Sequence, residues 1–390
     1  FFLKDPVEVT VFGLNVYFIR STFFMMDFVR HTHLPLSYGR WLNGVFLCPY
    51  HHQLHHSVAR EHWDRNFGLM LSIWAQQVSH RRDISLLIAV AWHADRLVAI
   101  IPCSVRRRHG VRSLEWAAET LTDYCDALVE QSPDGRTAVA ALWDRLQRVG
   151  PFDLALQRTP PSIITLSERD RKEECYHVTR EWPDGDAYFR SLGKKGRNNV
   201  MRGKRILEGL GGEVTFRVDV TPEGGGSLID QTQALKRAWL SQRHPDSPLL
   251  QGEDAVLRSV LNAVLPTGLV AVFALYCGGQ PAALSVNFVY QDKMQAYLTA
   301  YDPQYERASP GTILIVEYTK WAFDRQLHLV DFLRGDEPFK LRLANGVTIL
   351  QEFVGNRTFK GRMAIAVRQL QQRLTRSAPI PVSPEADALA

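Results

Sequence analysis

His52, His55 and His56 put three imidazoles within five positions of the segment His52-Gln53-Leu54-His55-His56. Two adjacent histidines with a third three positions upstream converge on one metal where the backbone is helical or sharply turned, and imidazole suits iron and zinc. A complete centre needs more ligands than one such box supplies. A second group, Asp331, Asp336, Glu337 and Lys340, falls at and just beyond a short apolar run at 328–333. Acceptor sites form at the ends of such strands on α/β scaffolds. A structural ion pair between Asp331 and Lys340 is the alternative. Ser309-Pro310-Gly311-Thr312 opens a helix whose free N–H groups bind a phosphate, unless Ser309 or Thr312 simply caps it. Lys194, Lys195, Arg197, Arg202, Lys204 and Arg205 make a basic segment, with no acidic residue between Asp186 and Glu208. It suits phosphates, an anionic polysaccharide or lipid, or RNA, and equally a solvated helix face. The lack of interleaved aromatics argues against nucleic acid.

The 390 residues suffice for two or three domains, and 45% hydrophobic with 22% charged residues is ordinary for globular protein. A net charge of +5 is too small to imply a polyanionic partner by itself. Five dispersed cysteines, Cys48, Cys103, Cys125, Cys175 and Cys277, fit reduced thiols in the cytoplasm better than a disulfide framework. Residues 7–29 are largely apolar, but Glu8, Asn15, Arg20 and Asp27 interrupt the run, so a membrane-facing segment is expected there more than a clean span. The opening Phe1-Phe2 suggests a partial reading frame or a processed start, and no secretory signal pattern is present.

Beyond about residue 75 the pattern becomes mixed α/β. A hairpin is expected at 85–91 and 97–105, a strand at 112–117, a helix at 136–148 and a strand at 152–157, with Pro160-Pro161 as a connection. Next come a helix at 186–210, a strand at 213–218, and helices at 227–242 and 253–264. An antiparallel meander at 269–276, 281–290 and 294–301 precedes a helix at 311–325, a buried strand at 328–333, a helix at 337–344, a strand at 349–355 and a basic helix at 362–375. Residues 377–390, with three prolines and no periodicity, are expected to be a disordered tail.

Two resemblances organise these features. His31-Thr32-His33-Leu34-Pro35-Leu36, the box at 52–56 and Asp64-Arg65-Asn66-Phe67-Gly68 resemble the C-terminal end of the fatty acid hydroxylase/sterol desaturase family, in which three histidine boxes hold two irons. Only the last box and the lone-histidine region before it are matched, so residues 1–75 are expected to be a mainly helical hydroxylase remnant, with His52, His55 and His56 as incomplete iron ligands. Leu121-Thr122-Asp123-Tyr124-Cys125-Asp126, residues 192–200, Tyr305 to Thr312 and Val330 to Lys340 resemble, in that order, the cellulose-biosynthesis (CelD-like) type of GNAT acyltransferase, related to FemAB-type transferases. That resemblance implies an α+β fold of tandem GNAT-like halves at 76–175 and 176–376, acyl-CoA as donor, and a sugar, cell-envelope precursor or amine as acceptor. Phe339 stands where the family usually has tyrosine.

Acyl transfer needs a base, oxyanion donors and an acid for the departing thiolate. Asp336 or Glu337 is the candidate base, backbone N–H groups of 294–301 the oxyanion donors, and Tyr297 or Tyr301 the acid, beside Asp331 and Lys340. Ser309, Gly311, Thr312, Arg197 and Lys195 are the candidate donor-binding residues, and Asp123 and Asp126 line the acceptor cleft or form a turn. An incomplete di-iron hydroxylase, membrane-associated through residues 1–75, and a non-catalytic ligand-binding protein are the rival functions. The expected location is the cytoplasm or the inner face of the membrane.

Overall fold

The computed structural model describes residues 74–376, except 79–80, 94–95, 131, 160–171, 246, 251 and 336, together with 10–11 and 14–15. The last four form a minimal antiparallel pair, β1 (Thr10–Val11) and β2 (Leu14–Asn15). His52, His55, His56, Asp336 and the tail at 377–390 lie outside the described residues.

From residue 84 onward the chain builds one 12-stranded sheet. Its N-terminal half holds the hairpin β3 (Ile84–His93) and β4 (Arg96–Arg108), then β5 (Val111–Trp116), the short β6 (Leu128–Val129), helix α1 (Pro133–Val149) and β7 (Leu154–Thr159). The C-terminal half holds β8 (Lys172–Thr179), α2 (Gly185–Ser191), α3 (Lys194–Gly211), β9 (Val214–Asp219), α4 (Pro222–Arg243) and α5 (Glu253–Val264). The meander β10 (Val270–Cys277), β11 (Gln280–Tyr290) and β12 (Lys293–Tyr301) follows. The chain continues with α6 (Pro310–Asp324), β13 (Leu329–Arg334), α7 (Pro338–Leu343), β14 (Gly346–Asn356) and α8 (Phe359–Arg376). In the sheet the order is β3-β4-β5-β7-β14-β8-β13-β12-β11-β10-β9, with β6 on β4. β14 joins the halves, because its first residues pair with β8 and its last with β7.

Local chemistry sets the boundaries. Ser132 caps α1 by accepting from Gly135 N–H, and Pro133 sits in the first turn, where a missing N–H costs nothing. The single helix expected at 186–210 is two helices. Leu192 takes an extended conformation, and the Arg197 guanidinium donates to the Arg190 and Leu192 carbonyls, satisfying acceptors that a continuing helix would have used. β8 has no counterpart in the expected elements, since Lys172, Glu173 and Glu174 mask its apolar face. α6 is buried along most of its length against the meander, through Ile313, Leu314, Val316 and Phe323, and Gly311 and Thr312 of its first turn are half-buried. Cys103, Cys125, Cys175 and Cys277 are buried free thiols.

A carboxylate also ties the halves together. Glu253, buried at the start of α5, accepts from Arg81 at 3.1 Å and Thr120 at 3.3 Å and lies 3.7 Å from Arg106. Removing one partner of such a cluster leaves buried charge uncompensated. Glu253→Ala is expected to cost about 3 kcal/mol of stability, read as a lower urea midpoint, whereas Asp230→Ala at the exposed Arg258 pair is expected to cost under about 1 kcal/mol.

Candidate active site

The site begins where the sheet opens. β12 and β13 run parallel and pair only from Lys293–Leu329 to Gln295–Asp331, after which β12 continues to Tyr301 with β11 alone as its partner. The register of β13 against β8 shifts between Asp331 and Arg334. Leu333 adopts φ +59° and Gly335 φ +125°, both left-handed, and for a leucine this costs about 1–2 kcal/mol. The Asp331 carboxylate offsets the strain by accepting the Leu333 N–H at 2.8 Å. The β12 backbone from 296 to 301 is therefore left facing the opening.

A segment of the N-terminal half closes one wall. Tyr124 donates its hydroxyl to the other Asp331 oxygen at 2.7 Å, the Arg334 guanidinium reaches Asp123 and Glu173, and Tyr297 donates to the Leu121 carbonyl at 2.8 Å. Asp331 is 5% exposed and burial raises its pKa above the usual carboxylate value, an effect the Tyr124 and Leu333 hydrogen bonds oppose. Burial also pushes the Cys175 thiol, beside Tyr124, up to about 12, so it is not a thiolate nucleophile at neutral pH. The Tyr124 and Tyr297 phenols are raised by burial and then by neighbouring carboxylates.

Lys340 is 4% exposed. Its ammonium donates to the Arg334 carbonyl at 2.5 Å and pairs with Glu337 at 3.0 Å, so the turn after β13 is wrapped around it. Asp331 and Lys340 bond to different partners, and the structural ion pair between them is not what fixes either. Lys236 of α4 feels both Glu337 and Lys340, and burial lowers its pKa. Nothing in its spacing on α4 marks it. Asp126 accepts the Ala127 N–H and serves the local turn.

The other end of the opening is basic. Ser309 stands before α6 at φ +52° and makes no side-chain cap, Pro310 occupies the first turn, and Asn199, Arg202, Arg307, Ser309, Thr312 and Arg342 line one concavity there. Gly203 makes this possible, because a Cβ at that position would lie 2.4 Å from the Ala308 carbonyl oxygen, so α3 seats directly on the turn before α6. Tyr301 reaches the same place, hydrogen-bonded to Glu306 at 3.1 Å and adjoining Gly311. Of the expected donor residues, Ser309 and Thr312 line the concavity and Gly311 lies in the same first turn. Arg197 instead holds the α2 terminus, and Lys195 is exposed at the start of α3. Arg342 lies on α7 and Arg307 two residues before Ser309, and nothing in their spacing marks either as facing the concavity.

Among the described residues no group of three or more His, Cys, Asp or Glu side chains could hold a metal ion. The residues fit a phosphate-bearing group better, with three guanidinium-bearing side chains around an uncapped helix start.

Residues 194–341 match the family model described as the acetyltransferase (GNAT) domain. No curated protein matches. Among solved structures the chain is similar to FemX, at 8% identity and TM-score 0.49, covering 76% of this chain and 96% of that one. A conserved protein of unknown function from Bacteroides thetaiotaomicron gives 12% and 0.46, covering 75% and 91%. A tandem GNAT protein from the clavulanic acid biosynthesis pathway gives 11% and 0.41, covering 76% and 96%. By its matched domain the chain is an acyltransferase.

The raised pKa of Asp331 has a defined sign. The folded state holds that proton more tightly than the unfolded chain, so the stabilisation is complete below the ordinary carboxylate pKa and is lost as pH rises through the raised value. Asp331→Asn removes this titration, so between about pH 4 and pH 7 its melting temperature is expected to gain on the wild type; parallel melting curves across that range would contradict the assignment.

Proposed function

We propose that this protein is an acyl-CoA-dependent N- or O-acyltransferase acting on a sugar, cell-envelope precursor or amine, with a direct transfer between donor and acceptor held together. The observation that carries the reading is the convergence of Arg202, Arg307 and Arg342 on the uncapped start of α6, beside the open edge of β12. Coenzyme A carries a pyrophosphate, and the helix dipole with bidentate guanidinium groups suits it. The bound donor supplies an activated thioester.

The remaining roles belong to the chain. Backbone N–H groups of residues 296–301 orient a carbonyl laid along β12. Tyr301, next to the phosphate end of the opening, donates a proton to a departing thiolate. Glu337 or Asp336 accepts the proton of the acceptor nucleophile, and Lys340 holds the strand-end turn through Glu337 and the Arg334 carbonyl. Asp331 positions the same turn through Leu333.

The four separated segments that resemble the cellulose-biosynthesis type support an envelope or polysaccharide acceptor, and the contacts from Leu121 to Tyr124 support a cleft shared by the halves at 76–175 and 176–376. Cytoplasmic chemistry is consistent with the buried free thiols. The hydroxylase-like reading of residues 1–75 rests on its sequence words alone.

Calorimetric titration of acetyl-CoA and a long-chain acyl-CoA into the folded full chain tests the donor. Saturable binding in the micromolar range is expected, with the Kd raised about tenfold in Arg307→Ala/Arg342→Ala. Folded protein that binds neither compound would sink the proposal. Once an acceptor is known, Tyr301→Phe is expected to lower kcat about 100-fold at nearly constant KM, and an unchanged kcat would remove its role as acid.

A further inference from the structure

α8 is amphipathic with its apolar side turned the wrong way for a core helix. Thr358 caps it by accepting from Gly361 N–H at 3.1 Å, while the Thr358 hydroxyl itself donates to Asp153 at 3.1 Å. Gly361 lies against the sheet so closely that a Cβ would meet the Asp153 carbonyl oxygen at 2.0 Å, and Ile365 is buried on the same side. Held in this way, the helix presents Phe359 at 75% exposure, Met363 at 50%, Val367 at 51% and Leu370 at 59%. At 100° per residue these four fall within an arc of about 80°, so they form one continuous stripe.

The charges around the stripe are of one sign. Residues 359–376 include Lys360, Arg362, Arg368, Arg373 and Arg376 and no acidic residue. Exposed Lys360 and Arg362 border the stripe on opposite sides. Lys360 also donates to the Gly110 carbonyl at 2.8 Å, which fixes the β4–β5 turn beside the helix start. That turn is tight, with His109 at φ +48° and Gly110 at φ +76°, and it exposes Arg107 and Arg108. An apolar stripe bordered by cations, with more cations on a rigid neighbouring turn, has the chemistry of an interfacial helix.

We propose that α8 and the β4–β5 turn form a docking face for an anionic lipid surface, with Phe359, Met363, Val367 and Leu370 entering the acyl boundary and the surrounding lysine and arginine side chains meeting lipid phosphates. A second copy of the chain is a poorer occupant, because two such helices would bring like charges together. RNA is poorer still, since the stripe holds one aromatic ring and otherwise aliphatic side chains. No described helix is long and apolar enough to cross a membrane, so attachment through this face is peripheral.

Flotation of the full chain with vesicles tests the face. Vesicles of phosphatidylcholine with about one third phosphatidylglycerol are expected to carry the protein, pure phosphatidylcholine vesicles far less, and added salt to weaken binding. Met363→Glu/Val367→Glu is expected to cut the bound fraction at least about tenfold, and Arg108→Gln/Arg362→Gln severalfold, with thermal melting unchanged because all four side chains are exposed. Should the glutamate pair fail to fold, Met363→Ser/Val367→Ser replaces it. Three results would each overturn the proposal: no binding to anionic vesicles, wild-type binding by both sets of variants, or a concentration-dependent dimer that the stripe substitutions abolish.

Discussion

The Asp331 carboxylate is the interaction on which the geometry of this molecule turns. One oxygen holds Leu333 in a left-handed conformation, and the other receives a phenol from the opposite half. The first bond bends β13 away from β12 and opens the sheet. The second brings the segment around Tyr124 against the opening, and Asp123 and Leu121 follow through Arg334 and Tyr297. A strained leucine, a buried acid and a buried phenol would each be costly alone. Together they satisfy one another, with the bulge giving the acid a donor and the acid paying for the bulge.

Two other features depend on that opening. α6 is packed into the core, and Ser309 and Thr312 at its start line a concavity with three arginines at one end of the gap. Lys340 sits at the other end, wrapped by backbone carbonyls that a left-handed Gly335 allows to turn inward. The opening beside β12 is thus polarised, with arginines at one end and the Glu337–Lys340 pair at the other.

Much of the scaffold was legible in the sequence, since the meander, α6 and the buried β13 carry strong periodicity. β8 was not, because its charged first residues conceal a strand that is stabilised by two neighbours far away in sequence. The split between α2 and α3 was hidden for a different reason, as residues on both sides keep a helical apolar rhythm while an extended Leu192 and the Arg197 side chain, seven residues past Arg190, end the first helix. At the site, Ser309, Thr312, Asp331, Lys340 and Tyr301 could be named from their motifs. Lys236 and Cys175 could not, because only the fold brings them near those motifs, whereas Arg307 lies inside one motif and Arg342 two residues past another with nothing in the sequence to show which way they face. Arg197 shows the converse, a motif position whose charge is spent on the backbone.

β14 carries a consequence for how the protein comes to be made. β7 pairs with β5 on one side, but its other edge waits for Gln351 and the rest of β14, and the same late strand completes β8. A ribosome emits almost the whole chain before either edge is covered. Pairings so distant in sequence form slowly, and an uncovered strand edge invites neighbours in the meantime. The two halves therefore mature as one cooperative unit.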